Sequence, residues 1–297
     1  MLVRASGLIH PGLHLLTIGN TCRYIIGAPQ SFILTDPGLS GQAELLEQRL
    51  RKLGFSTRGI RQVVLTHLHA DRLGGVAALR RAGAQFELLG TALMAARLKD
   101  MAFIRELWEE DRELTRRCQL PHGDLSAEAF GDLLQPDRTI TESELLEPGD
   151  DLTLRIIPAP GHTPESLAVL VQPSSFLIVD EGFGFFQGRN LAAPGGDDSL
   201  QAALASITRC EKLDLAGLAL PDSGVLTGQL ARRHLAAVIQ NTGDLVNETE
   251  RAKAEGIPFE EIRGSIRDSF YRSSTRDPVL LANLDRTFAA VCRQLGV

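Results

Sequence analysis

The sequence predicts an α/β protein built as a four-layer αββα sandwich, two mixed sheets packed face to face with helices on both outer sides. Three observations carry this expectation. Short apolar runs bounded by Gly, Pro and Asn recur in two separate blocks, helical patterns follow the first block, and a long helical stretch closes the chain. With 297 residues, 43% of them hydrophobic and 23% charged, the chain can bury a sizeable core and lacks the composition of a disordered segment.

The opening is β. Apolar runs at 13–18, 23–26 and 32–35 are separated by turn residues at Gly19-Asn20 and at 27–30, as in a strand meander. Asp36-Pro37-Gly38 stops the third run, and residues 42–53 carry Leu45, Leu46, Leu50 and Leu53 at helical spacing. A second buried run at 62–66 leads into a loop expected over 67–75, and a helix rich in Ala and Leu is expected from about Val76. Residues 91–147 hold charged helical patterns with Pro121, Gly123 and Pro136, and read as a helical insertion. Strand alternation returns at 152–157, 167–171, 176–179 and 215–220. From about Leu230 the chain turns helical, with Leu280, Leu284, Phe288, Val291 and Leu295 forming one stripe. The expected division is therefore a main domain over 1–228, with the insertion as part of a lid, and a helical extension over 229–297.

A net charge of -6 and the lack of a long Lys/Arg run disfavour general nucleic-acid binding. Cys22, Cys118, Cys210 and Cys292 are widely spread, so free and mostly buried thiols are expected. Residues 1–10 do not resemble a secretory leader, and no run of about 18 apolar residues occurs, so a cytoplasmic protein with no membrane partner is expected.

The sharpest feature is Thr66-His67-Leu68-His69-Ala70-Asp71-Arg72, followed by Leu73-Gly74-Gly75. Two imidazoles one residue apart at a strand end can point to one side, and Asp71 adds a hard oxygen donor. Such a group suits zinc, with iron or manganese as alternatives. Downstream, Pro160-Gly161-His162-Thr163-Pro164 places another histidine after a strand, where it can complete a three-histidine site. Ile178-Val179-Asp180 ends a further strand with a carboxylate, in the position of a metal-bridging oxygen. His10, His14 and His234 are read as structural. Phe103, Leu107, Trp108, Phe183, Phe185 and Phe186 either line an apolar pocket or bury the insertion against the core.

In order and spacing these residues resemble the metallo-β-lactamase superfamily over roughly 12–228, including the Asp36-Pro37-Gly38 turn. The resemblance implies a first metal on His67, His69 and His162, and a second held by Asp71 with Asp180 bridging, giving one or two ions per chain. It also implies hydrolysis of a small ester, thioester, lactone or phosphodiester by water activated at the metal, with Asp71 orienting that water or taking its proton. Two positions depart from the pattern: Arg72 follows the motif aspartate where many family hydrolases have histidine, and Asp222 or Ser223 stands where a final histidine is expected. Asp222 either ligates the second ion, the favoured reading, or pairs with Arg72 and leaves one site. Arg72 and, in the insertion, His122 are candidates for contact with a small-molecule substrate. The helical tail is similar to that of superfamily thioesterases whose C-terminal helices cover the entrance. A rival reading is a ligand-binding or regulatory member of the fold that no longer turns over, and homo-oligomerisation stays open.

Overall fold

Strands that are apolar on both faces need cover on both faces, and the chain supplies it by stacking two seven-stranded sheets between layers of helices. The computed structural model describes residues 1–121, 123–141, 144–149, 151–186, 192–271, 273 and 275–297. In chain order the first half contains β1 (Leu2–Val3), β2 (Gly7–His10), β3 (Leu13–Ile18), β4 (Thr21–Ala28), β5 (Ser31–Thr35), α1 (Ala43–Lys52), β6 (Ile60–Val64), α2 (Ala70–Arg81) and β7 (Glu87–Gly90). The expected insertion contains α3 (Ala92–Arg97), α4 (Met101–Arg117), α5 (Ala127–Leu133) and β8 (Arg138–Thr139). The second block is β9 (Leu145–Gly149), β10 (Leu152–Pro158), β11 (Leu167–Gln172), β12 (Phe176–Ile178), β13 (Phe185–Phe186), β14 (Ala192–Ala193), α6 (Leu200–Glu211), β15 (Gly217–Leu220) and β16 (Gly224–Thr227). The tail is α7 (Gln229–Ala254), α8 (Phe259–Ile266) and α9 (Pro278–Leu295).

One sheet runs β2-β3-β4-β5-β6-β7-β8 and the other β1-β16-β15-β12-β11-β10-β9. Both are mixed: β5 to β8 pair in parallel, as do β12 and β15, while the remaining pairs within these two sheets are antiparallel. The period of two explains the layering. In β11, Leu167, Val169 and Val171 enter the core between the sheets, whereas Ala168 and Leu170 face outward against Ile207 of α6 and Leu235 of α7. Leu46 and Leu50 of α1 and Val76 of α2 cover the first sheet. The tail is not a free appendage: Leu245, Ile262, Leu284 and Val291 share a core with Phe185, Ala193 and Leu200.

The expected fold is present, with three local differences. The helix after the histidines begins at Ala70 rather than near Val76, so Asp71 and Arg72 lie in its first turn. Gly74 and Gly75, which read as loop, are helical, and their bare backbone lies against other elements. A Cβ at Gly74 would sit 2.0 Å from Asp111 Oδ1, and one at Gly75 would sit 2.9 Å from the Pro37 carbonyl carbon. Within the expected insertion, β8 and the start of β9 extend the two sheets, and each is too short to show a period of its own. The opening strands β1 and β2 were hidden in the same way: each offers only a few residues for any period to show.

Candidate metal centre

The described candidate residues come from loops or a helix start at one rim of the sandwich. His67 and His69 follow β6, with His69 in the N-cap position of α2. His162 follows β10, and Asp222 lies in the turn between β15 and β16. The rim is pinned by Asp36, just past β5, whose backbone adopts φ 45°. Its carboxylate accepts from Thr66 N (2.8 Å) and from Thr66 Oγ1 (2.9 Å). Because that hydroxyl donates to Asp36, its oxygen is left to accept from His67 Nδ1 at 3.0 Å. This arrangement leaves the Nε2 lone pair of His67 free to bind a cation.

The three imidazoles converge. Their ring centroids are 4.7 Å apart in every pair, and the planes cross at 81–88°. One nitrogen from each lies within 4.8 Å of the others, and His162 Nε2 is 3.0 Å from His69 Nδ1. Three mutually perpendicular rings cannot stack, but their nitrogens can share one ion. A cation fits this set on a further observation: His67 Nε2 and Glu181 Oε2 are buried without a hydrogen-bond partner, 3.5 Å apart. Burial holds the His67 and His69 imidazoles well below their ordinary range, so both are neutral donors. His162 differs: burial would lower it, but Asp197, Glu181 and Asp180 outweigh that and raise it to about 9. Asp197 Oδ1 stands 3.3 Å from His162 Nδ1 and fixes the ring with Nε2 turned to the site.

The carboxylate facing the imidazoles is Glu181, not Asp180. Glu181 Oε2 lies 3.4 Å from His162 Nε2. Asp180 instead caps the turn at Glu181–Phe183, its Oδ1 accepting from Gly182 N at 3.0 Å, and burial raises it to about 6. Neighbouring residues at a strand end point in different directions, so the apolar run located the position to within one residue. Asp71 and Asp222 are near the site, but their oxygens do not belong to the converging group of donor atoms. Both meet Arg72: Nη2 is 3.3 Å from Asp71 Oδ2 and 3.1 Å from Asp222 Oδ1, and it also donates to Glu181 Oε1. Arg72 is thus an internal ion-pair partner, with 1% of its surface exposed, rather than a substrate contact. Of the carboxylates expected around a second ion, Asp71 and Asp222 meet Arg72, and Asp180 caps a turn. His122 lies outside the described residues.

The tail supplies residues that sequence reasoning missed. Asn283 Nδ2 of α9 is 3.2 Å from Asp71 Oδ2 and 3.4 Å from Glu181 Oε1. Arg286 donates to Asn283 Oδ1 (2.7 Å) and to Asp197 Oδ2 (3.1 Å), and it pairs with Glu110 of α4. The insertion also reaches the His162 loop, through Arg97 Nη1 to Glu165 Oε2 at 2.6 Å. Phe103, Leu107 and Trp108 pack into the main core and bury the insertion, while Phe185 and Phe186 line a cavity of 600 Å³ beside Asp222. His234 is structural, donating to the Phe183 carbonyl at 2.9 Å. All four cysteines are free, and three are buried.

The family model described as the metallo-beta-lactamase superfamily matches residues 23–216. The chain belongs to this superfamily. Solved superfamily structures show the same fold. A metallo-β-lactamase family protein of Thermus thermophilus is 18% identical, covering 97% of this chain and 95% of that one at a TM-score of 0.65. An archaeal superfamily protein of Sulfolobus tokodaii is 16% identical, covering 96% and 98% at a TM-score of 0.59. Over 146 residues the chain is 31% identical to a probable metallo-hydrolase of Mycobacterium tuberculosis, spanning 49% of this superfamily chain and 43% of that relative. More than half of that relative's length is therefore outside the match.

Proposed function

We propose that the chain is a metal-dependent hydrolase whose ion sits on His67, His69 and His162. The observation that supports this reading is the convergence of three nitrogens, within 4.8 Å, beside the partnerless Oε2 of Glu181. Zinc suits three imidazoles and a carboxylate, with iron or manganese as alternatives. When bound, the ion supplies Lewis acidity, which makes water nucleophilic near neutral pH and polarises a carbonyl or phosphoryl oxygen. Glu181 Oε2, 3.5 Å from His67 Nε2 and 3.4 Å from His162 Nε2, would be the carboxylate donor beside the three imidazoles. Asp71 is positioned by Asn283 and Arg72 through Oδ2, and its Oδ1 is buried without a partner, so it is the group that receives a proton.

A small ester, thioester, lactone or phosphodiester is the proposed substrate class; the cavity of about 600 Å³ that meets the site at Asp222 is lined by polar residues such as Arg4, Asn20 and Thr275 as well as by Phe185 and Leu284. A cytoplasmic setting is part of the proposal. No helix among the described residues is long and apolar enough to cross a membrane. The test is hydrolysis of one generic substrate of each class by the zinc-loaded chain and by His162→Ala. Turnover that is lost in the variant and on chelation supports the proposal. The buried ion pairs of Arg72 favour the second reading, a binding protein of the same fold, and no turnover in any class by a metal-loaded chain would select it.

A further inference from the structure

Beside the three histidines stand three carboxylates of separate elements: Asp71 from the first turn of α2, Glu181 from beyond β12, and Asp222 from the β15–β16 turn. All three are buried. Carboxylates brought together out of water need a counter-charge, which a metal ion or a protein cation can provide. Here one guanidinium nitrogen provides it. Arg72 Nη2 lies against Asp71 Oδ2, Asp222 Oδ1 and Glu181 Oε1 together, while Nη1 points to the Pro221 carbonyl at 3.4 Å. Glu181 then has the form of a bridging ligand, with Oε1 on the guanidinium and Oε2 facing His67 and His162.

Resting on the functional reading above, we infer that Arg72 takes the place of a second metal ion and that the chain binds one ion, at the histidines. A guanidinium remains protonated throughout the accessible pH range, so its charge is permanent and independent of metal supply. A divalent ion on Asp71 Oδ2, Asp222 Oδ1 and Glu181 Oε1 would have to displace the buried cation that contacts all three, while the second oxygen of each carboxylate has no hydrogen-bond partner. The side chain is buried, with 1% of Arg72 exposed, and the three carboxylates around it are buried as well. The one-ion state is therefore built into the sequence at a single position. It follows that removing the charge at residue 72 opens an oxygen-rich site suited to a hard ion such as manganese.

The experiment is elemental analysis of the full chain after incubation with excess zinc or manganese and removal of unbound ion. The wild type is expected to hold one ion per chain. Arg72→Ala is expected to hold two with manganese. Arg72→His, which keeps a buried ring and loses the permanent charge, carries the same expectation if the alanine variant does not fold. A wild type with two ions overturns the inference and leaves the hydrolase reading standing, as does a folded variant that binds no more than the wild type. A wild type with none overturns the hydrolase reading and the inference with it.

Discussion

Asn283 Nδ2 stands 3.2 Å from Asp71 Oδ2, although 212 residues separate them in the chain. The contact makes the last helix a wall of the metal centre, and Arg286 one turn on extends that wall to Asp197. Asn283→Ala should therefore loosen Asp71 while leaving the three histidines in place. The expected outcome is about a 10-fold loss of hydrolytic rate with the ion count unchanged. Steady-state kinetics and elemental analysis on the same sample check it, and an unchanged rate would contradict the role given to α9.

Asp197 holds His162 from behind, as its Oδ1 faces Nδ1 and Thr287 Oγ1 donates to the same oxygen at 2.6 Å. Asp197→Asn removes the charge that favours Nδ1–H. Metal affinity should fall about 10–100-fold, the usual cost of losing such a partner. Competition with a chromogenic chelator measures it.

Gly161 sets the path of the chain into His162. It adopts φ 143°, and a Cβ there would lie 2.2 Å from Ala203 N in the first turn of α6. Gly161→Ala should destabilise the fold by about 2–4 kcal/mol, from strain plus overpacking. The displaced His162 should also weaken metal binding. Denaturant unfolding with and without zinc reads both effects, and wild-type values in both would remove the proposed role of this glycine.

His234 gives a pH prediction. Burial lowers it from 6.5 to about 4, and its Nε2 donates to Phe183. The unfolded chain takes up this proton near 6.5 and the folded chain only near 4, so the unfolded state is favoured as pH falls between these values. The contribution is complete above pH 6.5 and amounts to about 3 kcal/mol lost by pH 4. His234→Gln should flatten that part of the stability profile. Unfolding midpoints measured from pH 7 to pH 4 would show it, and parallel wild-type and variant curves would contradict it.

Much of the candidate site was legible in the sequence because its histidines sit where strong local signals end. His67 and His69 follow one apolar strand, and His162 follows another in a Pro-Gly-His-Thr-Pro loop, so their convergence needed only the sandwich. Glu181 was not legible, because an Asp-Glu pair at a strand end does not show which side chain turns inward. The role of Arg72 depends on Asp71, Glu181 and Asp222, which only the folded chain brings to one nitrogen. Asn283 left a faint signal: with Thr287 it is a polar residue on the buried side of α9, fully buried beside an apolar stripe. A polar pair in that setting needs partners, but the sequence does not name them.

The most direct test of the central claim is the anomalous difference map of a crystal of the zinc-loaded wild type. The account predicts one peak, about 2.1 Å from each of His67 Nε2, His69 Nδ1 and His162 Nε2, with Arg72 still held between Asp71, Glu181 and Asp222. No peak at the three histidines, or a peak among those carboxylates in place of the guanidinium, would contradict it.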